Sequence, residues 1–186
     1  MNKTGIFSYC FLITALVIAL AVTGHAAELG EYEIKSGMLY NFTLFIEFPE
    51  ESLDKAKTLT VCIAGDNPSN GSFFRLQGKP YKERTIMVRQ IHDPGSIAGC
   101  NILFINGSEV SQLPAYLRAA QKRSVLTVSD IDHFAANGGI IGFIVQNRKV
   151  RFEINLDAAK QSNIRINSQL LKLARIVAGS KQELAQ

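Results

Sequence analysis

Short runs of branched apolar residues recur along this chain, and each run is bounded by turn-forming residues. They are Leu59–Ala64, Thr85–Ile91, Asn101–Ile105, Ser124–Val128, Ile140–Gln146 and Val150–Asn155. Runs of this length and composition predict β-strands, and continuous apolar runs are typical of strands buried on both faces. Helical segments predicted at Gly71–Leu76 and Ser108–Lys122, the second capped by Ser108, lie between strands. This alternation predicts a largely parallel sheet covered on both sides.

The last two runs break the alternation, because only Asn147-Arg148-Lys149 separates them. Three residues are too few for a parallel crossover, so this pair is predicted to be an antiparallel hairpin. In Val150–Asn155 apolar residues alternate with polar ones, which predicts one apolar and one charged face. The sequence therefore predicts an α/β fold. It would be a Rossmann-like three-layer sandwich with a mostly parallel sheet, a C-terminal antiparallel hairpin and flanking helices.

A helix is predicted at each end of this strand region. The apolar residues of the first recur at helical spacing and stop at Pro49; they are Ile34, Met38, Phe42, Phe45 and Ile46. The last helix would be capped by Asn167, with Lys172 and Arg175 facing outward. Its predicted buried side consists of Leu170, Leu171, Ala174 and Val177.

The N-terminus has the pattern of a secretory signal. Lys3 precedes an apolar stretch from Cys10 to Val22, and small residues follow at Gly24 and Ala26. The stretch is shorter than the ~20 residues of a membrane-spanning helix. We therefore expect residues 1–26 to be a cleaved signal peptide and 27–186 to be one domain that works outside the cytoplasm, without direct membrane insertion after cleavage.

Removal of the signal leaves two cysteines, Cys62 and Cys100. In an oxidising compartment they predict one disulfide, and the alternative is two separate buried thiols. A closed loop of roughly 40 residues would contribute about 3–4 kcal/mol in the chain-entropy model. No metal site or cofactor is expected, since His92 and His133 lack ligand-like spacing to either cysteine.

Charge and motifs argue against two further classes of function. The formal net charge of +4 falls to +3 without Lys3, and the remaining charges are mixed in sign, which gives no support for nucleic-acid binding. Gly65-Asp66-Asn67 follows a strand but belongs to no phosphate-binding motif. His92-Asp93 and Asp130–His133 hold possible acid–base groups, yet no nucleophile motif accompanies them. We therefore expect no enzyme activity.

Several sequence blocks, in order, resemble the YfiR-like family of periplasmic proteins. The blocks are Lys35–Phe42 (KSGMLYNF), Phe45–Pro49 (FIEFP), Val125–Asp130 (VLTVSD), Gly138-Gly139, Val150–Ala159 (VRFEINLDAA), Arg165–Ser168 (RINS) and Leu170–Arg175 (LLKLAR). They cover nearly all of the predicted mature chain. Phe48 departs from the family pattern, which usually has Trp there. The chain also lacks the additional cysteine pair of the best-known member near Gly138–Gln146, so redox control through that pair does not carry over.

The resemblance implies a secreted repressor that binds the periplasmic domain of an inner-membrane diguanylate cyclase and lowers cyclic-di-GMP and biofilm formation. It also implies a homodimer and a disulfide where Cys62 and Cys100 lie. A sensor kinase is the other partner class, and a periplasmic small-ligand sensor is the alternative function. The ligand-binding residues are unknown; a pocket is expected at the carboxyl ends of the parallel strands, near Gly65–Asn67, Asn106-Gly107 and Ser129-Asp130.

The expected partner-binding surface is the charged face of the final strand with the turn and helix that follow. Its residues are Arg151, Glu153, Asn155, Asp157 and Arg165. An equally weighted alternative is structural: Arg151, Glu153 and Asp157 would form a salt-bridge network that holds the C-terminal helix. A double-mutant cycle separates the two interpretations.

Overall fold

The computed structural model describes residues 30–53, 57–66 and 71–178. The predicted signal peptide lies outside this range, as do residues 67–70 and 179–186. The helices are α1 (30–45), α2 (Leu113–Gln121), α3 (Leu156–Gln161) and α4 (Ser168–Leu171). The strands are β1 (Ile46–Glu47), β2 (Thr58–Ala64), β3 (Pro80–Tyr81), β4 (Arg84–Ile91), β5 (Ile102–Ile105), β6 (Leu126–Ser129), β7 (Ile141–Gln146), β8 (Lys149–Asn155), β9 (Arg165–Ile166) and β10 (Arg175–Val177). Short 3-10 turns lie at Glu50–Ser52, Ser72–Leu76, Pro94–Ile97 and Gly107–Gln112.

Eight of these strands form one mixed sheet, in the order β10-β8-β7-β6-β5-β2-β4-β3. Strands β4, β2, β5, β6 and β7 are parallel to one another. At the two ends of this parallel part, β3 pairs antiparallel with β4, and β7 and β8 form the predicted antiparallel hairpin. The hairpin turn consists of Asn147 and Arg148, both with positive φ. Such a two-residue turn matches the right-handed twist of the strands it joins. The predicted α/β fold is confirmed, and Lys149 belongs to the strand.

Apolar side chains pack on both faces of the sheet. Along β2, Leu59, Val61 and Ile63 belong to a cluster with α1, because alternate residues of a strand point to the same face. Cys62 and Ala64 belong to a second cluster with α2. The three layers are therefore α1 with its neighbours, the sheet, and α2 with the loops beside it.

The predicted helices differ from the observed ones in their details. In α1, Ile34 is 54% exposed while Leu39 and Phe42 are buried, because the inward stripe begins at Lys35 rather than Ile34. The segment predicted at Ser108–Lys122 starts as a 3-10 turn capped by Asn106, which accepts a hydrogen bond from the Ser108 N–H. Only α2 is a regular helix there.

The predicted final helix is wrong beyond its first turn. Asn167 caps α4 as expected, since its side chain accepts from the Gln169 N–H at 2.8 Å. The helix nevertheless ends at Leu171, and β10 pairs parallel with β8, placing Arg175 opposite Glu153. Backbone pairing with the sheet outweighs the local helical spacing in this segment.

Candidate partner and ligand surface

A groove of about 790 Å³ lies between the end of α1 and the segment that follows β8. We call it the C-terminal groove. One side carries Glu47, Phe48, Pro49 and Glu50, and the other carries Leu156, Ala159, Lys160, Asn163, Ile164, Arg165 and Ile166. Its rim thus combines two carboxylates with two cations around apolar side chains. Such a lining suits an amphipathic ligand or a partner side chain with both charged and apolar parts.

Backbone pairing between distant segments builds this groove. Strand β1 pairs antiparallel with β9, so that Glu47 lies opposite Arg165 and Ile46 opposite Ile166. The Asn167 N–H donates to the Phe45 carbonyl at 2.9 Å and continues the connection. Main-chain hydrogen bonds between these two segments therefore hold the two sides of the groove together.

Three of the predicted partner-binding residues are exposed: Arg151, Asp157 and Arg165. Arg165 lines the C-terminal groove, and Asp157 follows the groove residue Leu156 in the first turn of α3. Arg151 lies in β8 opposite Ile144 of β7, well before the end of its strand. The structure therefore groups Asp157 with Arg165 near the groove and leaves Arg151 apart.

The expected exposed charged face is wrong for Glu153 and Asn155, which are 4% and 1% exposed. Glu153 forms an ion pair with Arg175 rather than with Arg151 or Asp157. Asn155 donates to the Ala135 carbonyl at 2.7 Å and accepts from the Ala158 N–H at 3.0 Å, which caps α3. The segment before β7 covers this face of the hairpin, so both side chains hold the C-terminal part of the fold together.

The predicted pocket at the carboxyl ends of β2 and β5 is occupied by side chains in its described part. The Asp66 N–H donates to the Ser108 hydroxyl at 3.1 Å. A Cβ on Gly65, which has φ +84°, would collide with Ser108 and Glu109. Burial, followed by the nearby Glu109 carboxylate, raises the pKa of Tyr116 to about 12. Asn67 lies outside the described residues.

In the third predicted pocket segment, Ser129-Asp130, Asp130 lines a cavity of about 400 Å³, whereas Ser129 is buried. Beside it the Lys35 ammonium contacts Asp130 Oδ2 at 2.7 Å and Glu31 Oε1 at 2.6 Å, and lies 4.4 Å from the centre of the Tyr32 ring. Lys35 is only 3% exposed, and a buried charge needs a partner. The two carboxylates supply the opposite charge. Sequence reasoning missed this role, although the Glu31–Lys35 spacing of one helical turn is visible in the sequence.

The predicted disulfide joins Cys62 and Cys100, whose Cα atoms are 5.8 Å apart. It links β2 to the segment before β5. Asp93 organises that segment by accepting hydrogen bonds from the Gly95 N–H, the Ser96 N–H and the Ser96 hydroxyl. The Ser96 hydroxyl, followed by those backbone donors, lowers the pKa of Asp93 despite the opposing effect of burial.

The acid–base groups considered in the sequence have structural contacts. Asp93 caps the turn at Pro94–Ile97 and Asp130 binds Lys35. Across residues 30–53, 57–66 and 71–178, no three His, Cys, Asp or Glu side chains are placed together as they would be around a metal ion.

The family model described as YfiR/HmsC-like matches residues 32–175. This chain belongs to the YfiR/HmsC-like family. Membership supports a general role as a periplasmic regulator of cyclic-di-GMP signalling, and proteins of this family are regulatory proteins rather than enzymes. In the described residues, no helix has both the length and the apolar character needed to cross a membrane.

Two solved structures show partial likeness to this chain. An ABC domain in complex with L-Trp from Streptococcus pneumonia matches 64% of this chain and 55% of its own, at 12% identity and a TM-score of 0.44. A substrate binding protein with adhesive properties from Clostridium difficile, in a ligand-free, open structure, matches 68% and 56%, at 10% identity and a TM-score of 0.48. This chain thus spans little more than half of each of these proteins.

Proposed function

We propose that this protein binds the periplasmic sensor domain of an inner-membrane diguanylate cyclase and holds the cyclase inactive. Repression would lower cyclic-di-GMP and biofilm formation. The observation that carries the proposal is the family match over residues 32–175. We also propose that residues 1–26 are removed on export to the periplasm and that the mature protein is a homodimer. A sensor kinase with a periplasmic domain is the second partner class.

The surface that best fits a protein partner is the exposed side of α3 and β9. Leu156 is a 40% exposed apolar side chain, and the exposed residues Asp157, Lys160 and Arg165 surround it in the sequence and along the groove. An apolar side chain with a polar, charged rim is the usual composition of a non-obligate interface. We assign partner binding to Asp157 and Arg165, with Arg151 as an outlying contact.

Affinity capture tests the repressor proposal. The disulfide-intact mature protein, used as bait on detergent-solubilised membranes, is expected to retain a cyclase or kinase that has a periplasmic domain. Binding to the purified periplasmic domain is then measured with the variants Asp157→Arg and Arg165→Glu. Each is expected to weaken binding about tenfold or more, because like charges at an interface cost free energy.

The matched control is Arg118→Glu on α2, which lies on the opposite face of the sheet and is also exposed. It should bind as the wild type does. Thermal unfolding should be unchanged in all three variants. Capture of no membrane protein, repeated under mild cross-linking, would overturn the repressor proposal.

A small-ligand sensor is the second candidate function, and the C-terminal groove favours it. A volume of about 790 Å³ is within the range of small-molecule sites, and the rim offers Glu47 and Glu50 to a cation and Lys160 and Arg165 to an anion. Thermal-shift screening with zwitterionic and anionic compounds tests this. A stabilising compound whose effect disappears in Lys160→Glu but persists in Lys122→Glu would support the groove as its site, and no stabilisation by any compound would contradict it.

A further inference from the structure

The Tyr116 hydroxyl is buried without a hydrogen-bond partner. Tyr116 is 0% exposed, and across residues 30–53, 57–66 and 71–178 its hydroxyl is the only fully buried side-chain oxygen or nitrogen that has no such partner. A phenylalanine would fill the same space without a cost in stability, because a buried polar group that lacks a partner is destabilising. A bound polar ligand is one reason for a fold to keep such a group.

This hydroxyl belongs to the part of the molecule at the carboxyl ends of the central strands. Tyr116 lies in the same buried cluster as Ile91 and Ile105, the last residues of β4 and β5. After β2 the chain forms β4 on one side of that strand, and it then returns to form β5 on the other side. Open α/β sheets bind ligands in the crevice where the strand order reverses in this way. Tyr116 therefore lies where an α/β sheet commonly holds a ligand.

Two carboxylates lie near the Tyr116 hydroxyl. Glu109 belongs to the 3-10 turn before α2, and Asp93 caps the turn at Pro94–Ile97, which packs against α2. After the larger effect of burial, first Glu109 and then Asp93 raise the pKa of Tyr116, so the electrostatic potential at the phenol is negative. Asp93 accepts three hydrogen bonds from its own turn, whereas Glu109 accepts one, from Gln112 Nε2 at 3.0 Å. Glu109 is thus the carboxylate with capacity for a further donor.

Glu109 also packs against β2, at a position that only a glycine allows. Its Cγ and Oε1 atoms lie 2.6 and 3.0 Å from the point that a Cβ on Gly65 would occupy. Gly65 has φ +84°, in the left-handed region that favours glycine. The space that a side chain on Gly65 would fill is therefore taken by Glu109, which is itself only half-buried.

We propose that the space between Gly65, Glu109 and Tyr116 is a binding site for the ammonium group of a small primary amine. A change of rotamer moves Glu109 away from Gly65, and its carboxylate then accepts a hydrogen bond from the ammonium group. The Tyr116 oxygen accepts a second one, since an ammonium group has three donors. Ca²⁺ fits less well, because it takes about six to eight oxygen ligands. This site shares no residue with the C-terminal groove.

Thermal unfolding and calorimetric titration of the mature protein test this site. The probes are methylammonium, ethanolamine and 1,4-diaminobutane, of which at least one should bind and raise the unfolding temperature. Tetramethylammonium has the same charge but no N–H donor, so it should have no effect at equal ionic strength.

Two variants locate the amine. Tyr116→Phe and Glu109→Gln should each weaken its binding about tenfold or more, because each removes a hydrogen bond to a charged group or the opposite charge itself. The matched control is Glu83→Gln, which changes an exposed carboxylate before the first residue of β4, at the other end of that strand. It should bind the amine as the wild type does.

Tyr116→Phe also separates ligand binding from a structural role. Without amine it should be at least as stable as the wild type, since it loses a buried hydroxyl that has no partner, and yet it should lose affinity for the amine. Glu109→Gln provides the same binding test if Tyr116→Phe does not fold.

Three results would overturn the proposal. The first is that none of the three amines binds the wild type, and the second is that the wild type and both variants bind equally well. The third is that binding persists in both variants but disappears in the double variant Glu47→Gln with Glu50→Gln, which would place the amine in the C-terminal groove.

Discussion

The central strands and the C-terminal edge of the sheet are stabilised in different ways. In β2, β5 and β6 nearly every side chain is buried and most are apolar, and the neighbouring strands are parallel. In β8 the buried side chains include Glu153 and Asn155, and β10 has only three residues. The centre depends on apolar packing, whereas the C-terminal edge depends on specific polar contacts.

The two regions should therefore respond to different kinds of substitution. The apolar centre tolerates the exchange of one apolar side chain for another of similar volume, but a change in side-chain volume destabilises it. At the edge, Asn155 caps α3, main-chain pairing with β1 positions β9 beside the C-terminal groove, and the Glu153–Arg175 ion pair joins β8 to β10. Four predictions test the comparison, from the largest expected effect to the smallest.

The largest effect is expected from a cavity in the centre. Ile63→Ala should lower the free energy of unfolding by about 2–5 kcal/mol, because Ile63 is fully buried in β2. Ile176→Ala in β10 is the matched control and should cost less than about 1 kcal/mol, since Ile176 is 47% exposed. Urea unfolding measures both. Equal losses would mean that the two regions do not differ in this way.

Removal of the Glu153 carboxylate tests the polar edge. Glu153→Ala should lower the free energy of unfolding by about 1–3 kcal/mol, less than for a fully buried pair, because the Arg175 side chain is 63% exposed and regains water. The double variant Glu153→Met with Arg175→Met should be within about 1 kcal/mol of the wild type. If Glu153→Ala instead keeps full stability and loses partner binding, the original surface interpretation of Glu153 is correct.

Asn155→Ala removes two hydrogen bonds at the start of α3 and should cost about 1–2 kcal/mol. Asn167→Ala removes a single cap at the exposed start of α4 and should cost about 0.5–1 kcal/mol. Thermal unfolding compares them. A larger loss of stability in Asn167→Ala would mean that this edge depends more on the cap of α4 than on the cap of α3.

The smallest effect concerns pH at the segment held by the disulfide. The pKa of Asp93 is lowered, chiefly by the Ser96 hydroxyl, so its contribution to stability is present above the ordinary pKa of 3.8 and is lost as the pH falls through the lower folded value. Thermal unfolding of the wild type below about pH 4 should therefore decline slightly more steeply than that of Asp93→Asn. Parallel curves would show that Asp93 does not contribute.

The C-terminal third shows where sequence patterns stop being informative. The hairpin was predictable, because the connection between its two runs is too short for any parallel arrangement. The burial of Glu153 was not, because strand alternation assigns a residue to a face but does not say what covers that face. Here the segment around Ala135 covers it, and a strand from beyond α4 supplies Arg175.

The candidate site was only partly predictable for the same reason. Arg165 and Asp157 are recognisable as charged residues near the end of the sheet. Glu47 belongs with them only because β1 pairs with β9, and two-residue strands leave no periodic signal in a sequence. Lys35 was only partly predictable, since Glu31 lies one turn earlier in the same helix but Asp130 comes from the end of β6.

The sequence by itself determined which segments form buried strands, the hairpin, the cysteine pair and the family. These features follow from local composition, from short spacings along the chain and from sequence blocks that match the family in order. The tertiary structure decided which polar side chains are buried, which charges meet and where the C-terminal groove lies. Those features depend on contacts between residues far apart in the chain, and local propensity carries no information about such contacts.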